Sequence, residues 1–176
     1  MRFRIEQRFD APLEDVEDAF VDPELVAELG THVELGAPRL LRREVEADGD
    51  VVHQWIAHRF TGDLNAAVRR VIDPKRLTWV EESTHDRATH RTTWRIVPDH
   101  YASLLRCSGT FQLEPDGGDS DGGGGERTRR VAEGEVKVNM PLVGSKAEKG
   151  IVSGLEEHAV LQAHVLDEWL TRRRKP

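Results

Sequence analysis

Two polar side chains on an otherwise apolar helical face are the residues of this sequence best placed to do chemistry. Segment 141–170 has the pattern of one long amphipathic helix. If Ala147 is the origin of a helical wheel and each residue advances about 100°, His158 and Gln162 fall inside the apolar sector. That sector also holds Ile151, Leu155, Val165, Leu166 and Trp169. We therefore expect the polar pair to lie on the face that covers the rest of the fold.

A covered polar pair needs partners, because an unpartnered buried polar group costs about 1–3 kcal/mol. His158 and Gln162 could bond each other across their i,i+4 spacing, or bond a strand backbone or water, and be purely structural. They could instead supply the few polar contacts of an apolar ligand pocket. In an enzyme, His158 would act as the general acid or base, with Arg59 or Glu81 as accessories if these point inward.

The large aromatic side chains either fill a core or line such a pocket. If the turn after strand 77–84 centres between Asp86 and Arg87, Trp79 falls opposite Trp94. Both faces of the strand that carries Trp55 are amphiphilic, which fits a partly polar cavity and also fits a plain mixed sheet edge. The candidate ligand-binding residues are therefore His158, Gln162, Ile151, Leu155, Trp55, Trp79, Trp94 and Phe111.

Other reactive residue types lack the spacing that their chemistry requires. His158 and His164 lie about 240° apart on the helix, and no third ligand accompanies His85 and His90, so no metal site is expected. The segment 144–150 does not match the phosphate-loop pattern, and the nucleophile motif GxSxG is absent. Cys107 lies in mid-strand. We therefore expect no metal, no cofactor and no thiol catalysis.

Length and composition predict one domain over residues 1–176. A net charge of −7 opposes binding to a phosphate backbone, so a nucleic-acid partner is not expected. One cysteine, no apolar run of signal-peptide length and no apolar run of about 20 residues together predict a cytoplasmic protein without stable membrane insertion. The basic run 172–175 is interpreted as part of a solvated tail, 171–176. The oligomeric state is left open.

Hydrophobic periodicity gives the order strand, two short helices, six strands and one long helix. Asp48-Gly49 is typical of a tight hairpin turn. The Gly- and Asp-rich segment 115–126 is interpreted as a flexible hairpin loop, and 61–76 as either a loop or a short helical turn. The predicted strands are 2–9, 39–47, 51–60, 77–84, 90–97, 104–114 and 128–140, and the short helices are 12–21 and 23–29.

Two segments resemble the helix-grip superfamily that includes the START-like lipid-transfer domains, the birch-pollen-allergen family and the polyketide cyclases (SRPBCC). They are the N-terminal strand running into "DAPLEDVEDAFVDPELV" and the C-terminal "VKVNMPLVGSKAEKGIVSGLEEHAVLQAHVLDEWL". The chain is most similar to an uncharacterised bacterial branch. The resemblance implies an α+β fold in which a curved seven-stranded antiparallel sheet and a long C-terminal helix enclose a cavity. Relatives use that cavity for lipids, sterols, quinones or polyketides.

Three functions are consistent with these expectations. The first is binding or transport of a small hydrophobic or amphiphilic molecule. The second is a cyclase or aromatase that uses a cavity histidine, His158. The third is a structural or partner-binding domain whose interior is filled. The sequence does not identify a ligand.

Overall fold

A computed structural model describes residues 1–62, 64, 66–70, 72–117 and 127–174, and only the backbone of Ala67. Most of the predicted loop 115–126 lies outside these residues. Pro115 ends a strand, and 116–117 follow it.

The predicted α+β helix-grip architecture is confirmed. Seven antiparallel strands form one sheet in the order β1-β7-β6-β5-β4-β3-β2. The N-terminal strand therefore pairs with the last strand, and the others follow as consecutive hairpins. The strands are β1 (Arg2–Phe9), β2 (Arg39–Val45), β3 (Val51–Arg59), β4 (Thr78–Asp86), β5 (Arg91–Pro98), β6 (Leu105–Pro115) and β7 (Thr128–Val138).

In the part of the chain that the structure describes, four α-helices accompany the sheet: α1 (Leu13–Val21), α2 (Pro23–Leu29), α3 (Ala66–Arg69) and α4 (Gly144–Arg174). Asp22 caps α2 by accepting a hydrogen bond from the Glu24 amide at 2.8 Å. Pro12 occupies the corresponding position of α1 and supplies no side-chain cap. The undecided segment 61–76 contains α3 and a 3-10 turn at Pro74–Arg76.

The long helix starts later than predicted and ends later. Leu142 has a φ of 67°, and the Val143 amide bonds the Pro141 carbonyl at 2.9 Å, so a tight turn precedes Gly144. The three arginines assigned to a solvated tail form the last turn of α4, where they pair with carboxylates of α1 and α2. The pairs are Arg172–Glu28, Arg173–Asp22, Arg173–Glu24 and Arg174–Asp15.

The predicted pairing of Trp79 with Trp94 is wrong. Trp79 stands opposite Pro98, and Trp94 stands opposite Ser83. The strand β4 continues to Asp86, and the turn occupies the four residues that follow, closing with His90 at a φ of 52°. The correction moves each partner by four positions, an even number, so both tryptophans stay on the same face of the sheet.

Side-chain packing fills only one end of the space between sheet and helices. A compact core joins α1, α2 and the C-terminal half of α4 to the ends of β1 and β6. Its largest members include Phe9, Leu25, Leu113, Leu166 and Trp169. Within the described residues, none of the helices combines the length and the apolar character needed to cross a membrane.

Two facing glycines let backbone and aromatic rings approach the sheet closely beside this space. Gly109 of β6 pairs with Gly134 of β7. A Cβ on Gly109 would lie 2.3 Å from the Glu133 carbonyl oxygen, and one on Gly134 would lie 2.6 Å from the Phe3 ring. The rings of Phe3 and Trp94 stack with centroids 6.3 Å apart. Only glycine leaves room for this arrangement.

Candidate functional site

A cavity of about 680 Å³ lies between the concave face of the sheet and the N-terminal half of α4. Its walls are mostly apolar, with contributions from Ile5, Ile56, Ile96, Leu105 and Met140. Exposed lining residues come from the β3–β4 connection, the β5–β6 connection and the first turns of α4, as at Thr61, His100 and Lys146. The mouth therefore lies at that end, opposite the packed core.

The helical wheel placed the polar pair on the correct face. Ile151, Leu155, His158 and Gln162 all line the cavity, whereas Val165, Leu166 and Trp169 continue the same stripe into the core. One helix therefore serves two purposes: its second half packs, and its first half roofs an open space. Gly150 and Gly154 also line the roof, and a Cβ at either position would meet nothing within 4 Å.

Three of the four aromatic candidates line the cavity, and the fourth does not. Trp79, Trp94 and Phe111 point inward. Trp55 lies on the outer face of β3, where the Arg42 guanidinium sits 4.8 Å from its ring centroid. Strand periodicity separates two faces but does not say which one is concave, and the cavity face of β3 is that of Gln54, Ile56 and His58.

His158 and Gln162 do not bond each other. The Gln162 Oε1 accepts a hydrogen bond from Nη1 of Arg130, on β7, at 3.1 Å. The Arg130 guanidinium lies between two aromatic rings, 4.7 Å from the Phe20 centroid and 4.6 Å from that of Phe111. Its Nε is buried and has no hydrogen-bond partner within the described residues. Burial lowers the Arg130 pKa to about 10, which leaves the group charged at neutral pH.

Two histidines in the cavity are held in the neutral form. Burial lowers the pKa of His158 to about 4, and the neighbouring His58 contributes in the same direction. Burial likewise lowers the pKa of His58 to about 4. The His58 ring stacks on Trp79 with centroids 5.7 Å apart, and its buried Nε2 lacks a partner within the described chain. Both rings therefore offer uncharged hydrogen-bonding groups.

Glu81 of β4 also points into the cavity. Burial raises its pKa, while the electrostatic influence of His158 and Arg130 acts in the opposite direction. Arg130, Glu81, His58 and His158 thus face one space from β7, β4, β3 and α4. Each is only partly exposed, and the surface that it exposes lines the cavity.

Arg130 is the member of this group that the sequence analysis missed. The alternation of β7 that places Ala132 on the cavity face also places Arg130 there, two positions earlier. Glu81 was considered only as an accessory and points inward as that role requires. Arg59 lines the mouth and is exposed.

A second buried polar cluster joins α1 to the β4–β5 hairpin. The Glu17 Oε1 lies 2.9 Å from Nε2 of His85 and 2.9 Å from Nδ1 of His90, and the His85 Nδ1 lies 2.8 Å from the Thr92 hydroxyl. The carboxylate is thus satisfied by hydrogen bonds, and the cluster fastens the helix to the sheet. Over the part of the chain that the structure describes, no group of three or more His, Cys, Asp or Glu residues could hold a metal ion.

Cys107 lines the cavity but is a poor nucleophile. Burial raises the pKa of its thiol to about 12, and the nearby Glu81 carboxylate adds to that shift. The thiol therefore stays protonated at neutral pH, and only the thiolate is reactive.

Comparison with known proteins supports the fold and leaves the chemistry open. The model of a family described as "Protein of unknown function (DUF2505)" matches residues 4–170. Among curated proteins, none matches the sequence.

Solved structures with the same fold come from bacteria and plants. The TTHA0849 protein of Thermus thermophilus is 20% identical, with a TM-score of 0.60 over 99% of this chain and 100% of that one. The Zhui aromatase/cyclase of Streptomyces sp. R1128 is 15% identical, with a TM-score of 0.59 over 98% and 94%. Norcoclaurine synthase of Thalictrum flavum is 14% identical, with a TM-score of 0.59 over 97% and 86%. At these identities the likeness extends to the fold alone.

Proposed function

This chain belongs to the DUF2505 family of proteins of unknown function, and we propose that it binds or carries a small amphiphilic molecule in the cavity beneath α4. The observation that carries the proposal is a mostly apolar space of about 680 Å³ into which a few polar groups converge. Ligand pockets of proteins combine such a volume with this kind of lining.

The cost of the open space supports this function over a purely structural one. A protein interior normally packs as densely as an organic crystal, and unfilled apolar space is destabilising. The polar atoms Arg130 Nε and His58 Nε2, which lack partners within the described residues, add a further cost. An occupant with oxygen atoms and an apolar body would offset both. The third hypothesis, a filled interior, has no support in this arrangement.

Native mass spectrometry of freshly purified protein tests the proposal. We expect a population whose mass exceeds that of the chain by one small molecule, which organic extraction then releases for identification. The variant Ile56→Trp places a bulky ring in the cavity and should lose the adduct. Ala57→Trp carries the same substitution on the outer face of β3 and should keep it. An adduct that persists unchanged in Ile56→Trp would place the molecule elsewhere.

A catalytic role is the second candidate, and the pKa values favour Glu81 over His158 as its acid or base. Proton transfer is most efficient when the catalytic pKa lies near the working pH. A His158 pKa of about 4 leaves little of the protonated form at neutral pH, whereas burial moves the Glu81 pKa upward toward the working range. An aromatase/cyclase and a norcoclaurine synthase share this fold, so the fold is compatible with reactions on small organic molecules.

The enzyme hypothesis is tested on a cyclisable substrate such as a short polyketide thioester. If Glu81 transfers the proton, Glu81→Gln should lower kcat by roughly 100-fold or more while substrate affinity stays within a few-fold. His158→Gln should have the smaller effect on kcat. Equal turnover by Glu81→Gln and the unchanged protein would remove Glu81 from any catalytic role.

A further inference from the structure

The charged guanidinium of Arg130 lies at the inner end of the cavity. Its neighbours Phe20 and Phe111 pack against the hydrophobic core, whereas the cavity continues along β7 to Val138 and Met140 at the mouth. Arg130 and Val138 are eight residues apart, about 26 Å along an extended strand. The positive charge is therefore placed at the end of the cavity farthest from solvent.

This guanidinium is held in a fixed position. Two aromatic faces enclose it at 4.7 and 4.6 Å, and Gln162 of α4 accepts a hydrogen bond from one terminal nitrogen. Gln162 is thus a positioning residue. The arrangement fixes the plane of the guanidinium and therefore the direction in which its remaining N–H groups point.

The donor capacity of Arg130 is mostly unused. A guanidinium carries five N–H donors, and within the described residues one hydrogen bond is made and Nε is buried without a partner. The nearest carboxylate in the cavity, Glu81, interacts with Arg130 electrostatically but forms no ion pair with it. A charge enclosed in this way is costly unless it is paired.

The walls between Arg130 and the mouth determine what kind of partner fits. They are lined by Ile5, Ile56, Leu105, Ile151 and Leu155. The partner that fits is a ligand with one acidic oxygen group and an apolar body. The acidic group would pair with the guanidinium, and the apolar body would be buried along these walls.

We propose that the cavity selects organic acids, and this proposal rests on the proposed binding function. A carboxylate or acidic phenolate binds Arg130, and the apolar body of the ligand extends toward the mouth. The acid enters head first. Glu81, His58 and His158 face the middle of the ligand, where the two neutral rings can bond further oxygen atoms. Burial of Glu81 favours its uncharged form, which limits repulsion of the bound acid.

The test compares acids with their methyl esters, which keep the body and remove the charge. Dodecanoate and methyl dodecanoate form an alkyl pair, and naphthoate and methyl naphthoate an aromatic pair. Affinities are measured by displacement of the fluorescent apolar probe N-phenylnaphthylamine. Because charge-assisted hydrogen bonds are about twice as strong as neutral ones, we expect the acid of at least one pair to bind at least tenfold more tightly than its ester. The pair that shows the preference identifies the body as alkyl or aromatic.

Variants on one strand separate the inward arginine from its outward neighbour. In Arg130→Met the preference for the acid should disappear while the ester binds as before, and Arg130→Lys should retain part of the preference. Arg129→Met is the matched control, because Arg129 lies on the opposite face and pairs with Glu114 at 2.6 Å. Thermal unfolding checks that each variant folds. If Arg130→Met does not fold, the result for Arg130→Lys decides: a preference for the acid that is reduced but present supports the assignment, and an unchanged preference contradicts it.

The failures are distinguishable. Equal affinity for acid and ester in both pairs, or a preference that survives in Arg130→Met, overturns the assignment of Arg130 and leaves cavity binding intact. A protein that binds neither the probe, the acids nor the esters overturns the proposed function as well.

Discussion

At the scale of single residues, the cavity is characterised by the half-buried titratable groups His58, Glu81, Arg130 and His158, which form no ion pair with one another. His58 and His158 are uncharged because burial penalises the protonated ring. At His158, charge repulsion from His58 lowers the pKa further. Such an arrangement reduces stability in acid. It is retained here in a part of the fold where side-chain packing leaves a cavity of about 680 Å³.

The stability of the protein should therefore depend on pH through these histidines. Their pKa in the folded state, about 4, is below the ordinary value of 6.5, so the unfolded chain binds more protons between those two pH values. The free energy of unfolding should fall as the pH falls through this window. His158→Leu removes one such group and should lessen the loss between pH 6.5 and 4.5 by about 2 kcal/mol.

Urea unfolding across the pH range measures this difference. Glu81 and His85 are present in both proteins. The raised pKa of Glu81 contributes to the pH dependence of the free energy of unfolding with a sign opposite to that of the histidines, whose pKa values are lowered. The difference between the two proteins therefore reports His158 together with its electrostatic influence on Glu81. Parallel curves for His158→Leu and the unchanged protein would show that the ring is not buried in its neutral form.

Tryptophan fluorescence should distinguish the inner face from the outer face. Trp79 and Trp94 line the cavity, whereas Trp55 lies outside beneath Arg42. A bound aromatic molecule should quench the emission of the unchanged protein and of Trp55→Phe. The double variant Trp79→Phe, Trp94→Phe should lose most of that quenching. Quenching that depends on Trp55 instead would place the ligand on the convex face of the sheet.

The orientation of a residue could be predicted where the hydrophobic periodicity of its helix or strand shows which face is covered. The wheel placed His158 and Gln162 inward because α4 has one covered face throughout. Trp55 was misplaced because a strand with two amphiphilic faces does not reveal which is concave. Arg130 was not among the candidates, although the alternation of β7 places it on the cavity face. Charged residues are seldom enclosed unless paired, and functional sites are where that rule fails.

At the scale of elements, the second half of α4 packs into the core, whereas its first half, above the cavity, contains residues with low helix propensity. Gly150 and Gly154 lie in the helix interior, where glycine is less favourable than alanine by about 0.5–1 kcal/mol. A methyl group added at either position would have no atom of the surrounding structure within 4 Å. No packing constraint requires glycine there.

Alanine at these two positions should therefore stabilise the protein. We expect Gly150→Ala and Gly154→Ala each to raise the free energy of unfolding by about 0.5–1 kcal/mol, measured by urea denaturation. Gly134→Ala is the contrasting substitution, because its Cβ would meet the Phe3 ring at 2.6 Å, and overpacking should cost about 1–3 kcal/mol. Destabilisation by Gly154→Ala would mean that the roof is more closely covered than the cavity implies.

Element order and strand number followed from the sequence, whereas some details depended on tertiary structure. The predicted register of β4 and β5 was wrong because the turn lies two residues later than assumed, at 87–90, and ends with His90 at positive φ. The short helix α3 was undecided, since four residues hold too little periodicity to identify. The C-terminal arginines were assigned to a tail because their carboxylate partners, 144 to 159 residues away, are invisible to local patterns.

At the scale of the whole molecule, the interior is divided between a packed core and an open cavity. The core joins α1, α2, β1, β6 and the second half of α4, and the remainder of the concave sheet face lines the cavity. Sequence patterns cannot distinguish these halves, because periodicity shows which face is covered and not how much volume lies beneath it. The resemblance supplied the expectation of a cavity, and the structure supplies its extent and its polar lining.

The most direct test of the account is a titration with N-phenylnaphthylamine across three proteins. The unchanged protein and Ala57→Trp should each show one saturable site with enhanced probe emission. Ile56→Trp, folded by the criterion of its circular dichroism spectrum, should bind the probe at least tenfold more weakly. Equal binding by all three proteins, or none by any of them, would contradict a ligand cavity beneath α4.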